Sequence, residues 1–330
     1  MAVEEMEQLV LGLGDQLRWA ADVEAPAPIE VPGGLLIVGM GGSGISGDLV
    51  SVLASVPVTV HKGYGLPAWV SNRPPAMIAL SYSGNTEETL SAVEEARDLG
   101  LTPGVVTAGG ALGELAVGNG WPHIIVPGGL QPRAALGYMM GSLLRLVEDS
   151  VDLKPGDFSA AADLVDQLTG GLGRDLAADL AAGLRDRIPV IYGTNGLTSP
   201  VAQRWKTQIN ENAKWPAWWN TMPELDHNEI VSWTSLSTLT RRHVGIIALR
   251  DDSESSRVEA RYNLTARLTG SDVAWVGEVW AQGVSRLERI LSLCAMGDLV
   301  SLELARAGSI DPMAVPEIET LKQLLAEEPL

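Results

Sequence analysis

The feature that most limits what this chain can become is a row of short apolar runs, each closed by Gly or Pro and set apart by helical stretches. Residues 34–39 (GLLIVG), 56–60 (VPVTV), 76–80 (AMIAL), 104–108 (GVVTA) and 123–127 (HIIVP) read as buried strands rich in Val and Ile. Between them lie amphipathic patterns such as TEETLSAVEEARDLG at 86–100, which sets Leu90, Val93 and Leu99 near one face and its charges on the other. This alternation is βαβ grammar, which predicts an α/β protein with mostly parallel, doubly wound sheets flanked by helices.

A helix from Arg133 to about Asp149 closes the first unit, VDLKPGD reads as a linker, and the grammar then restarts. IPVIYG (188–193), RHVGIIAL (242–249) and SDVAWV (271–276) are the expected strands of a second unit. Helices are expected over 197–214, 252–268 and 284–308. The predicted divisions are a helical segment over 1–30, domains over 31–150 and 151–310, and a C-terminal helix over 311–330. LLIVGMGGSGISGDLVS and IPVIYGTNGLTSPVAQRW both run from strand through a Gly turn into a helix, so two related halves are expected, the first keeping an anion-binding turn. Independent convergence of two such turns is the alternative.

A chain of 330 residues has ample core for two such units. Its net charge of −18 repels nucleic acid and anionic membranes, and no basic stripe offsets it. The N-terminus MAVEEMEQLV is acidic and lacks the apolar core of a secretory signal. Arg145 cuts the most apolar helix well short of the roughly 20 residues that span a bilayer. Cys294 is the single cysteine, which excludes an internal disulfide and suits a reducing cytoplasm.

The turn GMGGSG matches the dinucleotide fingerprint through Gly39, Gly41 and Gly44, but that fingerprint needs an acidic residue about 20 positions on. No Asp or Glu occurs between Asp48 and Glu87, and Ile45-Ser46 stands where a P-loop carries Lys-Ser or Lys-Thr. What remains is an anion site of neutral donors at a helix N-terminus. The stretch SYSGNTEETL follows the next strand at the same sheet edge. Asn85 with Glu88 fits a capping box, and Thr86 is a second capping candidate. Capping leaves Ser81 and Ser83 unexplained, and together with Ser43 and Thr86 they can ring one phosphate. The bland alternative is two loops whose serines only cap helices.

A second constellation runs from 203 to 233. Glu211 lies near a helix end between Asn210 and Asn212, and His227 lies in the polar turn ELDHNE. Either is bland alone. Trp215, Trp218 and Trp219 fit core or a subunit interface better than a sugar-stacking platform. His61, His123, His227 and His243 lack ligand spacing, so no metal site is expected.

GMGGSGISGDL, SYSGNTEETL, PRAALGYM, NENAK followed by ELDHNEI, and VPEIETLK together resemble the bifunctional phosphoglucose/phosphomannose isomerases, proteins of two sugar-isomerase (SIS) domains. The likeness covers the chain from about residue 33 to its end. It implies two flavodoxin-like SIS subdomains, a cytoplasmic homodimer, and a sugar-phosphate substrate handled without cofactor or metal. The family's phosphate pocket falls on Gly42, Ser43, Ser81, Ser83 and Thr86, and its enediolate-stabilising arginine on Arg133. Glu211 matches the base, Lys322 a lysine that assists ring opening, and His227 a histidine contributed by the partner subunit. The implied reaction interconverts glucose 6-phosphate with fructose 6-phosphate through a cis-enediol. Val315 stands where the family commonly has a threonine tied to the mannose epimer, so activity on mannose 6-phosphate stays open. Two alternatives share the same pocket: a non-catalytic sugar-phosphate sensor, and an isomerase of another phosphosugar.

Overall fold

The computed structural model describes residues 2–328, so Met1 and residues 329–330, at the ends of the expected terminal segments, lie outside it. The helical segment expected at the N-terminus forms two helices, α1 (Ala2–Leu11) and α2 (Leu13–Asp22), with Gly12 at the break. The first sheet then builds from β1 (Leu35–Gly39), α3 (Gly41–Ser51), β2 (Val58–His61), β3 (Ala76–Ser81), α4 (Glu87–Asp98), β4 (Gly104–Thr107), α5 (Gly110–Asn119) and β5 (His123–Ile125). All its pairings are parallel and its order is β2-β1-β3-β4-β5, the flavodoxin order. β1 is buried at every position because a central parallel strand is covered on both faces, whereas edge strand β2 is only partly covered.

Helix α6 (Leu136–Leu146) follows, preceded by a tight 3-10 turn at Pro132–Ala134. Residues 157–184, for which the sequence pattern sets no expectation, form α7 (Asp157–Gln167) and α8 (Arg174–Leu184). The second sheet comprises β6 (Ile188–Thr194), α9 (Thr198–Gln208), β7 (Trp218–Met222), α10 (Ser237–His243), β8 (Val244–Arg250), α11 (Ser256–Thr269) and β9 (Trp275–Trp280). Its order is β7-β6-β8-β9, again all parallel. Two expectations need correction here. Strand β7 falls where the sequence shows only a tryptophan-rich stretch, and β9 lies further along the chain than SDVAWV, because residues 270–272 turn before pairing with β8 begins. The long helix α12 (Arg286–Gly308) closes the second unit and α13 (Pro316–Glu327) ends the described chain.

The two units meet through helices. Helix α2 is wedged between α6 and α7, and small residues let it in: a Cβ at Gly137 would lie 2.6 Å from Gln16 Cβ, and one at Gly141 2.5 Å from Ala20 Cβ. Buried Gln16 uses both ends of its amide at this seam. Its Nε2 donates to the Ala134 carbonyl (2.8 Å), and its Oε1 accepts from the Gly137 amide (3.0 Å), one of the free N–H groups that open α6. This fixes the Pro132–Ala134 turn.

Helix α12 is apolar nearly all round and correspondingly buried, so the polar groups it carries need internal partners. Asp298 finds them on α9. Arg204 Nη2 reaches both its carboxylate oxygens at 2.9 Å, and Gln208 Nε2 donates to Oδ1. Burial works against the Arg204 charge, but Asp298 outweighs it and holds the guanidinium pKa above its ordinary value. Beside this pair, Trp205 sits fully buried over Gly297 and donates its indole N–H to the Leu293 carbonyl (2.7 Å).

Asp298→Ala strands a guanidinium in the core, and a loss of about 3–5 kcal/mol of unfolding free energy is expected from urea denaturation. A loss under about 1 kcal/mol would contradict the role given to the pair.

Candidate functional site

At the carboxyl edge of the first sheet, β1 and β3 deliver two turns side by side. The β1 turn opens α3. Gly41 there takes φ +49°, and Gly42 has no side chain to fend off the neighbouring turn: a Cβ on it would lie 3.0 Å from the Pro132 carbonyl oxygen and 3.2 Å from the Arg133 amide. The start of α3, with its outward N–H groups and positive dipole end, therefore backs directly on to the segment carrying Arg133.

The β3 turn crosses to meet it. The Tyr82 amide donates to Ser43 Oγ (3.0 Å), which ties the two turns together and leaves the Ser43 hydroxyl proton free to donate. Ser81 Oγ accepts from the Gly84 amide (3.1 Å) and shares a hydrogen bond with Thr86 Oγ1 (2.8 Å), so that pair also retains one donor. Ser83 Oγ accepts from the Asn85 amide (3.2 Å) and faces solvent. Gly84 takes φ +70° against the next loop, where a Cβ would fall 1.7 Å from the Gly109 carbonyl oxygen.

The expected capping box at Asn85 and Glu88 does not form. Helix α4 begins at Glu87 with Thr86 at its N-cap and no side-chain cap bond. Asn85 Oδ1 instead accepts from the Ala111 amide (3.0 Å) at the start of α5, and its Nδ2 donates to the Ser83 carbonyl (3.2 Å). The side chain that matches a capping pattern is used to lock two loops together.

Arg133 and Glu211 come from different units and meet. Arg133 is 3% exposed, and its Nη1 lies 3.1 Å from Glu211 Oε2. Its Nε donates to Asn212 Oδ1 (2.8 Å), Nη1 also reaches Gln131 Oε1 (3.3 Å), and Nη2 donates to the Pro312 carbonyl. Four of the five guanidinium N–H groups are thereby accounted for. Burial lowers the Arg133 pKa and Glu211 opposes that shift. The plane of the guanidinium is fixed from behind, since Arg204 Nη2 donates to the Arg133 carbonyl (3.2 Å) and Asn212 Nδ2 to Ser301 Oγ on α12 (2.9 Å).

Glu211 sits in a π-helical turn over Ile209–Ala213 that ends α9, with Lys214 in a left-handed conformation (φ 56°) just after it. The Lys214 ammonium folds back on to the Glu211 carbonyl, and its pKa is lowered, first by burial and then by Arg133. Sequence reasoning gave no role to Lys214, Asn212, Gln131 or the Pro312 carbonyl. Asn212 carried a signal, being an amide one residue from the candidate base.

His227 and Lys322 do not join this cluster. Glu211 precedes β7 and His227 follows it, so the two stand at opposite edges of the second sheet, separated by a five-residue strand of about 17 Å. His227 is exposed, and so is Lys322 on α13. Trp215 and Trp219 pack on the core, and Trp218 is 55% exposed on edge strand β7.

At the carboxyl ends of β6 and β8 in the second sheet the side chains pair with one another. Thr194, at the end of β6, donates from Oγ1 to Glu254 Oε1 (2.7 Å) and bonds Thr198 at the start of α9. Arg250, at the end of β8, is 2% exposed, sandwiched between the rings of Tyr262 and Trp280, and 3.6 Å from Glu254 Oε2. The carboxylate of Glu254 thus lies between the end of β6 and Arg250. Burial raises the Glu254 pKa, and the Thr194 hydroxyl and Arg250 oppose the rise.

Among the described residues, no helix is long and apolar enough to cross a membrane. Residues 174–325 match the family model described as the bacterial phospho-glucose isomerase C-terminal SIS domain. The chain is 37% identical to a bifunctional phosphoglucose/phosphomannose isomerase of Caldicellulosiruptor bescii, over 98% of this chain and 99% of the relative. It is 39% identical to a protein of the same name from Thermoplasma acidophilum, over 88% of this chain and 89% of that one. A hypothetical protein of Thermus thermophilus superposes with a TM-score of 0.72 over 99% of this chain and 90% of that chain, at 14% identity, a likeness of fold alone. At the identity and coverage of the first two relatives, the chain belongs to the bifunctional phosphoglucose/phosphomannose isomerase family.

Proposed function

We propose that this chain is an aldose–ketose isomerase that interconverts glucose 6-phosphate, and within the family's range mannose 6-phosphate, with fructose 6-phosphate. The observation that carries the reading is the meeting of Arg133 and Glu211 beside the hydroxyl-lined crevice, one side chain from each unit. In this reading residues 31–150 bind the phosphate, 151–310 bring Glu211 and His227, and 311–330 carry Lys322.

The phosphate sits at the start of α3, held by amides around Gly42 and by the hydroxyls of Ser43, Ser81, Ser83 and Thr86. Anchoring that end fixes C1 and C2 near Glu211, so binding energy from the remote phosphate positions the reacting carbons. Glu211 removes the proton on C2 of the open aldose. The bonding pair becomes the C1–C2 double bond, and O1 takes up the negative charge. Arg133 faces that oxygen with a donor already oriented, which costs no rearrangement as charge develops. A proton passes from O2 to O1, and Glu211 returns its own proton to C1, which leaves the ketose. Ring opening needs a proton delivered to O5 and another removed from O1. Lys322 and a histidine perform these steps, and the histidine is His227 of a second copy in a homodimer. The position of His227 across the sheet from its own Glu211 supports that assignment. Val315, with no hydroxyl, favours glucose 6-phosphate over its epimer.

Glu211→Gln removes the base and keeps the shape. Steady-state kinetics should show kcat lower by about 10²–10⁴ with KM changed little, and undiminished turnover removes Glu211 from the mechanism. Ser81→Ala deletes one donor to a dianion, worth about 1.5–3 kcal/mol, so calorimetric affinity for fructose 6-phosphate should drop at least tenfold. Unchanged affinity would place the phosphate elsewhere. Mixing inactive Glu211→Gln and His227→Ala chains should regenerate about a quarter of wild-type activity, because a mixed dimer has one intact site of two. No recovery on mixing would put His227 in its own chain's site or outside catalysis.

A further inference from the structure

Residues 31–132 hold three cations, Lys62, Arg73 and Arg97, and only one of them stands near the hydroxyl-lined crevice. Arg73 lies just before β3 and Arg97 in the last turn of α4, both at the amino edge of the first sheet. Lys62 follows β2 at the carboxyl edge. The pairing of Val38 with His61 sets it level with the end of β1 and the turn into α3. The segment after it is tied to α4. Tyr64 donates its hydroxyl to Glu87 Oε2 (3.2 Å), the Gly65 amide donates to Ser91 Oγ (3.1 Å), and the Leu66 amide donates to Glu95 Oε2 (2.7 Å). Residues 62–66 thus reach from α3 to α4, the two helices whose starts flank the crevice. Their backbone is fixed, and the Lys62 side chain is the part left to move.

The stem of Lys62 lies against the first turn of α3. A Cβ at Gly44 would stand 3.1 Å from Lys62 Cε, so glycine there makes room for the stem. Beyond that point the ammonium turns along the helix and pairs with Asp48. The free amides of α3 lie the other way. The Gly44 amide already donates to the Met40 carbonyl (2.9 Å), which leaves those of Gly41, Gly42 and Ser43 to open the helix. Asp48 lies about one turn beyond Gly44 and Gly41 about one turn before it, so a flexible four-carbon stem resting on Gly44 can serve either side.

We propose that Lys62 is a phosphate-binding cation held in reserve: Asp48 keeps its ammonium in the free protein, and the ammonium turns to the dianion at the start of α3 when a sugar phosphate binds. The proposal rests on the phosphate site of the reading above and adds a charge to its neutral donors. The exchange of partners is balanced in its favour. The side chains of Lys62 and Asp48 are 28% and 20% exposed, so water reaches the pair and screens its attraction. A phosphate offers the ammonium more charge than a carboxylate and more accepting oxygens. Asp48 is not stranded when Lys62 leaves. It lines an open hollow with Asn195, Ser199 and Gln203 of the second unit, whose polar groups can take over its solvation. In a chain of net charge −18, parking the cation on an acid also keeps other anions from claiming it.

Calorimetric titration of the full chain with fructose 6-phosphate, in a cycle of Lys62→Met, Asp48→Asn and the double variant, tests this. Lys62→Met should weaken binding about tenfold, the loss of one charge-assisted hydrogen bond. Asp48→Asn removes the competing acid and should tighten binding about threefold. In the Lys62→Met background the same Asp48→Asn change should move affinity by less than about twofold, because the two side chains act as one unit. A gain of affinity cannot come from a damaged fold, so Asp48→Asn keeps the test readable should Lys62→Met be unstable. Binding by Lys62→Met as tight as wild type, no gain from Asp48→Asn, or a gain that persists without Lys62 overturns the proposal. Ser81→Ala separates this from the phosphate site itself. Affinity lost in Ser81→Ala and kept in Lys62→Met sinks the reserve cation alone, and affinity kept in both sinks the phosphate site with it.

Discussion

The buried ion pair of Arg204 and Asp298 is the joint from which the site hangs. It locks α9 to α12 inside the second unit, and the same guanidinium reaches across to the Arg133 carbonyl in the first. One helical turn further along α12, Ser301 fixes Asn212, and Asn212 fixes the Arg133 side chain. The pair is expensive to bury, and its desolvation cost largely cancels its attraction, so what it supplies is geometry more than stability. The backbone and the side chain of Arg133 are both held from the second unit, so its guanidinium has one fixed orientation.

In this acidic chain the two sheets furnish their carboxyl edges in opposite ways. The first presents short-range donors, amides at a helix start and hydroxyls braced by backbone N–H groups, which act over a few ångströms where distant charge is screened. The second carries Glu254 at its carboxyl edge, braced by Thr194 and by the stacked Arg250. Both halves keep the strand–turn–helix layout that the sequence repeats. They differ in that a carboxylate of the chain itself lies against the end of β6 in the second.

What was legible in the sequence was mostly local. Strand runs such as LLIVG and AMIAL declared themselves because both faces of a parallel sheet are buried, and the hydroxyls of SYSGNT lie within one turn. Strand β7 hid because an edge strand is half-exposed, and its tryptophans and Asn220 break the run. The Asn85 capping box failed because the Ala111 amide, from another loop, competed for the same oxygen. Arg133 and Glu211 lie 78 residues apart, so no spacing rule links them, and the family resemblance alone named them together. Asp298 was legible too, since a single acid within the apolar stretch 290–302 of a long helix demands a cation. His227 and Lys322 are exposed and stand apart from the pair in one chain, which no sequence spacing announced.

The central claim is that one carboxylate carries a proton between two neighbouring carbons of a phosphate-anchored sugar. The most direct measurement follows glucose 6-phosphate deuterated at C2 through the reaction in ordinary water by NMR. A single exchanging base predicts deuterium partly transferred to C1 of fructose 6-phosphate and partly lost to solvent. Complete retention at C1, the mark of a hydride shift that needs no base, or the absence of any ketose, would contradict the account.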